Sequence, residues 1–172
     1  MAYETAGSEY LRLTAASLNL LTSRIVDCLG RLSEEQVWLR HHENENAVGN
    51  LVVHLSGSLQ QWILTGLGGR PDARQRDQEF ALRGGVTIPD LKSRLEDTVR
   101  TVVSLLGNFP EEKLNQSFPI RGRELSGMEV IFHVTEHVAQ HAGQIVFATK
   151  LLTGQNLGYP RYFAPGGPRG GA

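Results

Sequence analysis

An all-α four-helix bundle is the fold this sequence predicts, and three features predict it. Apolar residues recur at spacings of three and four in four long segments, the periodicity of amphipathic helices. Clusters of glycine, proline and asparagine separate those segments, as they do where helices stop. No stretch alternates convincingly between apolar and polar residues in the manner of a strand. Four apolar stripes that all need cover are buried most simply against one another.

The first stripe, Tyr10, Leu13, Leu18, Leu21, Ile25 and Leu29, predicts a helix from about Glu4 to Gly30. Ser33 followed by Gln36 is a capping-box pair that opens a short helix through Trp38. His41 to Asn46 is a polar loop whose last asparagine can cap the next helix. That helix runs from Ala47 to Leu67 with Val48, Leu51, Leu55, Leu59 and Ile63 inward, and glycines end it. The stretch 70–85 is dense in Arg, Asp and Gln. It reads either as a functional lid or as a solvated connection anchored at Phe80. Thr87-Ile88-Pro89 opens a third long helix along Leu91, Leu95, Val99, Val102 and Leu106. After Gly107 to Pro110 come a short helical turn at Glu111–Leu114 and an extended piece from Ser117 to Arg123. Ser126 to Glu129 is a second capping box, opening the last helix, which closes at Thr153-Gly154.

The 172 residues suit one domain, a bundle over 1–158 followed by a Gly/Pro-rich C-terminal tail over 159–172. Tyr159, Tyr162 and Phe163 give that tail anchors for the bundle or for a neighbouring subunit. With 17 basic and 18 acidic side chains the net charge is −1. No strong field gathers polyanions, so nucleic acid is not an expected partner. The single cysteine, Cys28, excludes an internal disulfide, fits a reducing cytoplasm and reads as a small buried hydrophobe. Met1-Ala2-Tyr3-Glu4 lacks the basic and then apolar run of a secretory signal. No apolar run approaches the ~20 residues that span a bilayer. A soluble, cytoplasmic protein without a membrane partner is expected.

The chemistry concentrates in His133-Val-Thr-Glu136-His137-Val-Ala-Gln140-His141. Imidazoles four residues apart share a helix face and can converge on one ion at about 2.0–2.1 Å. His137 and His141 sit among Val134, Val138, Ala142, Ile145 and Val146, where burying imidazole is costly unless its nitrogens find partners. Either a metal ion or buried waters and carbonyls satisfy them. His54, in the apolar run Leu51 to Leu55 of another helix, is the third candidate ligand. Three protein ligands with one open position is the pattern of catalytic zinc. His133-x-x-Glu136-His137 also matches the inverted zinc-protease motif, without the larger fold that motif belongs to. Asn50 and His133 are candidates to touch and orient the ligands, whereas His41 and His42 lie in a polar loop. No side chain is assigned as a general base. Glu136 stands about 100° round the helix from His137.

On two segments the chain resembles the DinB-like superfamily, the metal-binding bundles that include YfiT-type proteins. One is Asn50-Leu51-Val52-Val53-His54-Leu55-Ser56-Gly57; the other is His137-x-x-x-His141-Ala142-Gly143-Gln144-Ile145. The resemblance covers nearly the whole chain. It implies a His54, His137, His141 triad holding one divalent ion, zinc or nickel, with Gln144 beside it, in a homodimer. Many such proteins carry arginine after the last ligand, where this chain has Ala142. It further implies thiol S-transfer from a low-molecular-weight thiol to a small electrophile. A metal-dependent hydrolase and a non-catalytic metal-binding or stress-response protein are the alternatives.

Overall fold

Helix α1 (Ala6–Arg31) starts where the Thr5 hydroxyl accepts the Ser8 amide, satisfying one of the donors a helix start leaves orphaned. This is a computed structural model, and it describes residues 5–159. Glu4, Tyr162 and Phe163, which figured in the expected first helix and tail, lie outside those residues. The buried line of α1 runs through Leu11, Thr14, Leu18, Thr22, Ile25 and Leu29. Leu13, expected inside, is 50% exposed. The neighbouring helices cover the face centred on Leu18 and Ile25, and threonine can join that face by turning its methyl inward. Cys28 is fully buried, as expected.

Helix α2 (Glu34–Val37) carries the capping box read from Ser33 and Gln36. Helix α3 (Val48–Leu59) is buried at every residue. Its cap differs from expectation. Ala47, not Asn46, holds the cap position, and its amide donates to the Asn50 side-chain oxygen at 3.2 Å. The helix also changes character partway. Gln60–Leu67 winds as a π-helix, a wider turn with bonds to the fifth residue, where a continuous α-helix was expected.

The stretch 70–85 contains a short helix, α4 (Arg76–Ala81). Helix α5 (Ile88–Gly107) begins as read, with Thr87 accepting the Asp90 amide and proline in the first turn. A 3-10 turn (Glu111–Asn115) follows. The extended piece then proves to be half of a hairpin, strands β1 (Ser117–Ile120) and β2 (Arg123–Ser126), with Ser117 opposite Ser126 and Ile120 opposite Arg123. Arg121 and Gly122 make the turn at φ 53° and 76°, the two left-handed residues of the tight turn that matches strand twist. The last helix, α6 (Gly127–Thr153), opens on the Ser126–Glu129 box and ends on Gly154 at φ 66°.

α1 packs against α5 and α6, and α3 packs against the same two from the other side. Leu18, Leu55, Leu95 and Ile145 are among the fully enclosed side chains between them. This order sets the middle of α3 against the middle of α6. Beyond α6 the chain returns to α1, where the Tyr159 hydroxyl lies 3.0 Å from both the Arg24 carbonyl and the Asp27 carboxylate. No helix among the described residues is long and apolar enough to cross a membrane.

Candidate metal centre

His54 reaches the α3–α6 contact from the enclosed helix, and His137 and His141 reach it from successive turns of α6. The Nε2 of His137 lies 3.2 Å from that of His54 and 3.1 Å from that of His141. The rings meet nearly edge-on, at 74°, 83° and 84° to one another. Imidazoles around a tetrahedral ion at 2.0–2.1 Å place neighbouring nitrogens about 3.3–3.4 Å apart. The two pairs that share His137 are already close to that spacing, and one nitrogen from each of the three rings lies within 4.8 Å of the others.

The far side of each ring fixes where its proton sits. His54 Nδ1 lies 3.0 Å from Glu79 Oε2 and 3.1 Å from Arg74 Nη2. An ionised carboxylate oxygen only accepts, so a bare Nδ1 facing it would repel it. Arg74 Nη2 can only donate and is spent on Glu79 Oε2 at 2.8 Å. The carboxylate is thus the partner that favours a proton on Nδ1, the tautomer in which Nε2 keeps its lone pair. Gln144 does the same for His141, its Oε1 accepting from Nδ1 at 2.7 Å. Ser58 Oγ stands 3.4 Å from His137 Nδ1, a longer contact that leaves His137 the most loosely held. Lone pairs on His54 and His141 directed at the neutral His137 ring make a donor set that fits a cation. Burial and the neighbouring imidazoles push His137 down to about 3. Burial also lowers His141, against the opposing pull of Gln144. Both are neutral at pH 7, the form that ligates. The set can hold a metal ion.

Glu79 is the residue the sequence did not disclose. Burial works against its charge, but hydrogen bonds from Arg74 and His54 outweigh burial and hold it at about 2. Arg74 grips it with two bonds of 2.8 Å, from Nε and Nη2, the paired geometry that suits guanidinium to carboxylate. Both side chains are almost completely buried. Gly57, one turn past His54, leaves the space for this pair: a Cβ there would overlap the Glu79 carboxylate. The backbone of α4 is tied down in turn. Asn50 Nδ2 donates to the carbonyls of Glu79 and Leu82 at 2.9 and 3.1 Å. Arg40 donates to the carbonyls of Phe80 and Leu82, both at 3.1 Å. Asn50 thus holds the segment that orients His54, rather than touching an imidazole.

The stretch 70–85 is largely exposed, as a solvated connection would be. It is anchored, however, at Arg74 and Glu79 as well as at Phe80, whose ring lies 4.6 Å from that of His54, and these three form one wall of the site. His133 stands apart from the three converging nitrogens. Its ring lies 4.3 Å from Trp62 and stacks 5.9 Å from His137. The His133–Glu136–His137 string therefore does not assemble as one ligand set. His41, in its exposed loop, faces Glu45. Above the triad opens a cavity of about 510 Å³ bounded by His54, His137, Trp62, Phe132, Glu136 and several arginines.

Bundle and histidines together define a class: an all-α protein whose facing helices gather three imidazoles able to hold a metal ion. Over residues 5–159 the chain matches, and belongs to, the family described as Protein of unknown function (DUF1572). It is similar to the crystal structure of a conserved protein from Enterococcus faecalis, with a TM-score of 0.72 and 17% sequence identity. The match spans 84% of this chain and 97% of that one, and at this identity it speaks for the fold alone. No curated protein matches the chain.

Proposed function

We propose that this protein is a DinB-like, divalent-metal-binding thiol S-transferase that joins a low-molecular-weight thiol to a small electrophile. The observation that supports this reading is the convergence of three imidazole nitrogens, from His54, His137 and His141, the first two of which line a cleft of about 510 Å³. Zinc or nickel suits three imidazole nitrogens. When bound, such an ion supplies stabilisation of a thiolate at neutral pH. The protein's side chains do the rest. Glu79 and Gln144 keep protons on the outer nitrogens of His54 and His141. Trp62, Leu125 and Phe132 give the cleft an apolar wall that limits water around the electrophile. The thiol gives its proton to solvent, and its sulfur then bonds the electrophilic carbon as the leaving group departs with its electron pair (chloride, for 1-chloro-2,4-dinitrobenzene), so no dedicated base is required.

Glu136, which borders the cleft beside His137, supports a second reading. It could take the proton of an attacking water and make the site hydrolytic. A homodimer is also part of the reading. Phe132, Phe147 and Leu151 are 61%, 64% and 69% exposed along α6, with Ala139, Gly143 and the charged Glu136 between them, a largely apolar stripe of the kind partners cover. Light scattering on the purified protein tests it, and a monomer at all concentrations ends it.

Elemental analysis should find about one zinc or nickel per chain, as a three-ligand site requires. The ion should be absent from His54→Ala and His137→Ala while helical content stays unchanged. The loaded protein should then consume a thiol in the presence of 1-chloro-2,4-dinitrobenzene, and the two variants should not. Failure to bind metal even on reconstitution defeats the reading. Bound metal with ester hydrolysis alone selects the Glu136 reading. Bound metal with neither activity leaves a protein that sequesters or senses the ion.

A further inference from the structure

The cleft beside the histidines is rimmed by Arg74, Arg76, Arg121 and Arg123. Arg74 is spent on Glu79. The other three have no carboxylate within ion-pair distance among the described residues. Their placement is structural. Arg76 sits 4.9 Å over the Phe80 ring, and that ring lies 4.6 Å from the His54 ring. Arg123 and Leu125 alternate with Glu124 along β2, and both border the cleft. Glu124 instead bonds Ser117 across the hairpin, as the two-residue strand period requires. The turn adds Arg121 on the cleft side. Two carboxylates share the cleft. Glu129 is bonded by the Ser126 amide and hydroxyl and keeps its charge. Three guanidinium groups outside any ion pair therefore face the two carboxylates of Glu129 and Glu136, and Arg121 also acts on the charge of Asp72. Like charges gathered in one concavity repel and focus a positive potential there, and planar guanidinium matches the oxygens of carboxylate and phosphate.

We infer that this cleft is an anion-recognition site, in which Arg76, Arg121 and Arg123 hold a carboxylate or phosphate group of the substrate while its apolar part lies on Trp62, Leu125 and Phe132. That the bound anion is the electrophile rests on the transferase reading; the site itself does not. The chain's near-neutral total, −1, hides this local excess. Specificity for charge then resides on the hairpin and α4, while the histidines hold the ion.

Isothermal titration of the protein as purified tests this with three probes: succinate, phenyl phosphate and the uncharged succinamide. Succinate or phenyl phosphate should bind and succinamide should not; the tighter of the two anions tells carboxylate from phosphate. Arg121→Gln/Arg123→Gln, on an exposed hairpin, should weaken that binding by about tenfold or more with its metal content unchanged. Arg100→Gln, on the far side of α5, should not weaken it. Equal affinity in the double variant, equal binding of succinamide, or no binding of any probe overturns the inference. Arginine-dependent binding in a protein that consumes no thiol keeps the anion site and removes the transferase reading. Thiol consumption without preference for anionic electrophiles does the reverse.

Discussion

The two walls that supply the histidines are built differently. His54 comes from a helix with no exposed residue, and its outer nitrogen ends in a chain of buried bonds through Glu79, Arg74 and the α4 carbonyls that Asn50 and Arg40 hold. His137 and His141 come from the partly open side of α6, backed by a 3.4 Å contact to Ser58 and by Gln144, an exposed side chain. One wall is fixed by the core and the other by fewer, more exposed bonds. A site arranged this way holds one imidazole in register through buried bonds and the other two through the face of α6.

The contrast breaks most severely at Glu79. Its removal leaves Arg74 charged and buried without a partner, so Glu79→Ala should lose about 3–5 kcal/mol of stability in urea unfolding. A loss under about 1 kcal/mol would mean the α4 wall is not the rigid one. Gly57→Ala attacks the same wall from beneath and should lose about 1–3 kcal/mol by overpacking. Most of that loss should vanish in the Glu79→Ala background, because the two changes share one contact; additive losses would place the strain elsewhere.

Acid separates the walls by pH. Both groups titrate lower folded than unfolded: His137 moves from 6.5 to about 3, and Glu79 from 4.5 to about 2. Each therefore stabilises the fold fully above its unfolded value and stops doing so as pH falls toward its folded value. Urea midpoints of the metal-free protein should decline from about pH 6.5 through His137 and His141, and more steeply below about 4.5, where Glu79 joins them. His137→Gln should lessen the decline that starts near about 6.5 and keep the steepening below about 4.5; loss of that steepening as well would join the two walls into one unit. The smallest effect belongs to Gln144→Ala. It should weaken metal affinity by about tenfold and leave urea stability nearly unchanged, measured by competition with a chelator.

Much of this was legible in the sequence. Capping pairs at Ser33 and Ser126, and the proline that follows Thr87 and Ile88, marked helix starts, because these are local signals between neighbours in the chain. The triad was legible because His137 and His141 share a helix face and His54 interrupts an apolar run. Glu79 and Arg74 were not. Their meaning lies in contacts with α3, and in the sequence they are two charges among many between residues 70 and 85. Gly57 was the available signal, a glycine one turn past a buried histidine, where a close neighbour had to fit. The hairpin escaped notice because its turn is Arg121-Gly122 rather than the usual Asn-Gly. The π segment escaped because its apolar spacing serves an α-helix equally well.

The hairpin carries a consequence for how such a protein changes over generations. Its strands pair with each other, and it joins the bundle through the buried Ile120 and the Gly127-to-Gln116 backbone bond. Residues 121 and 123 can therefore be replaced without disturbing the core, as surface connections usually allow. Descendants of one ancestor could drift apart in the charges that rim the cleft while inheriting the same histidine cluster and the frame that holds it.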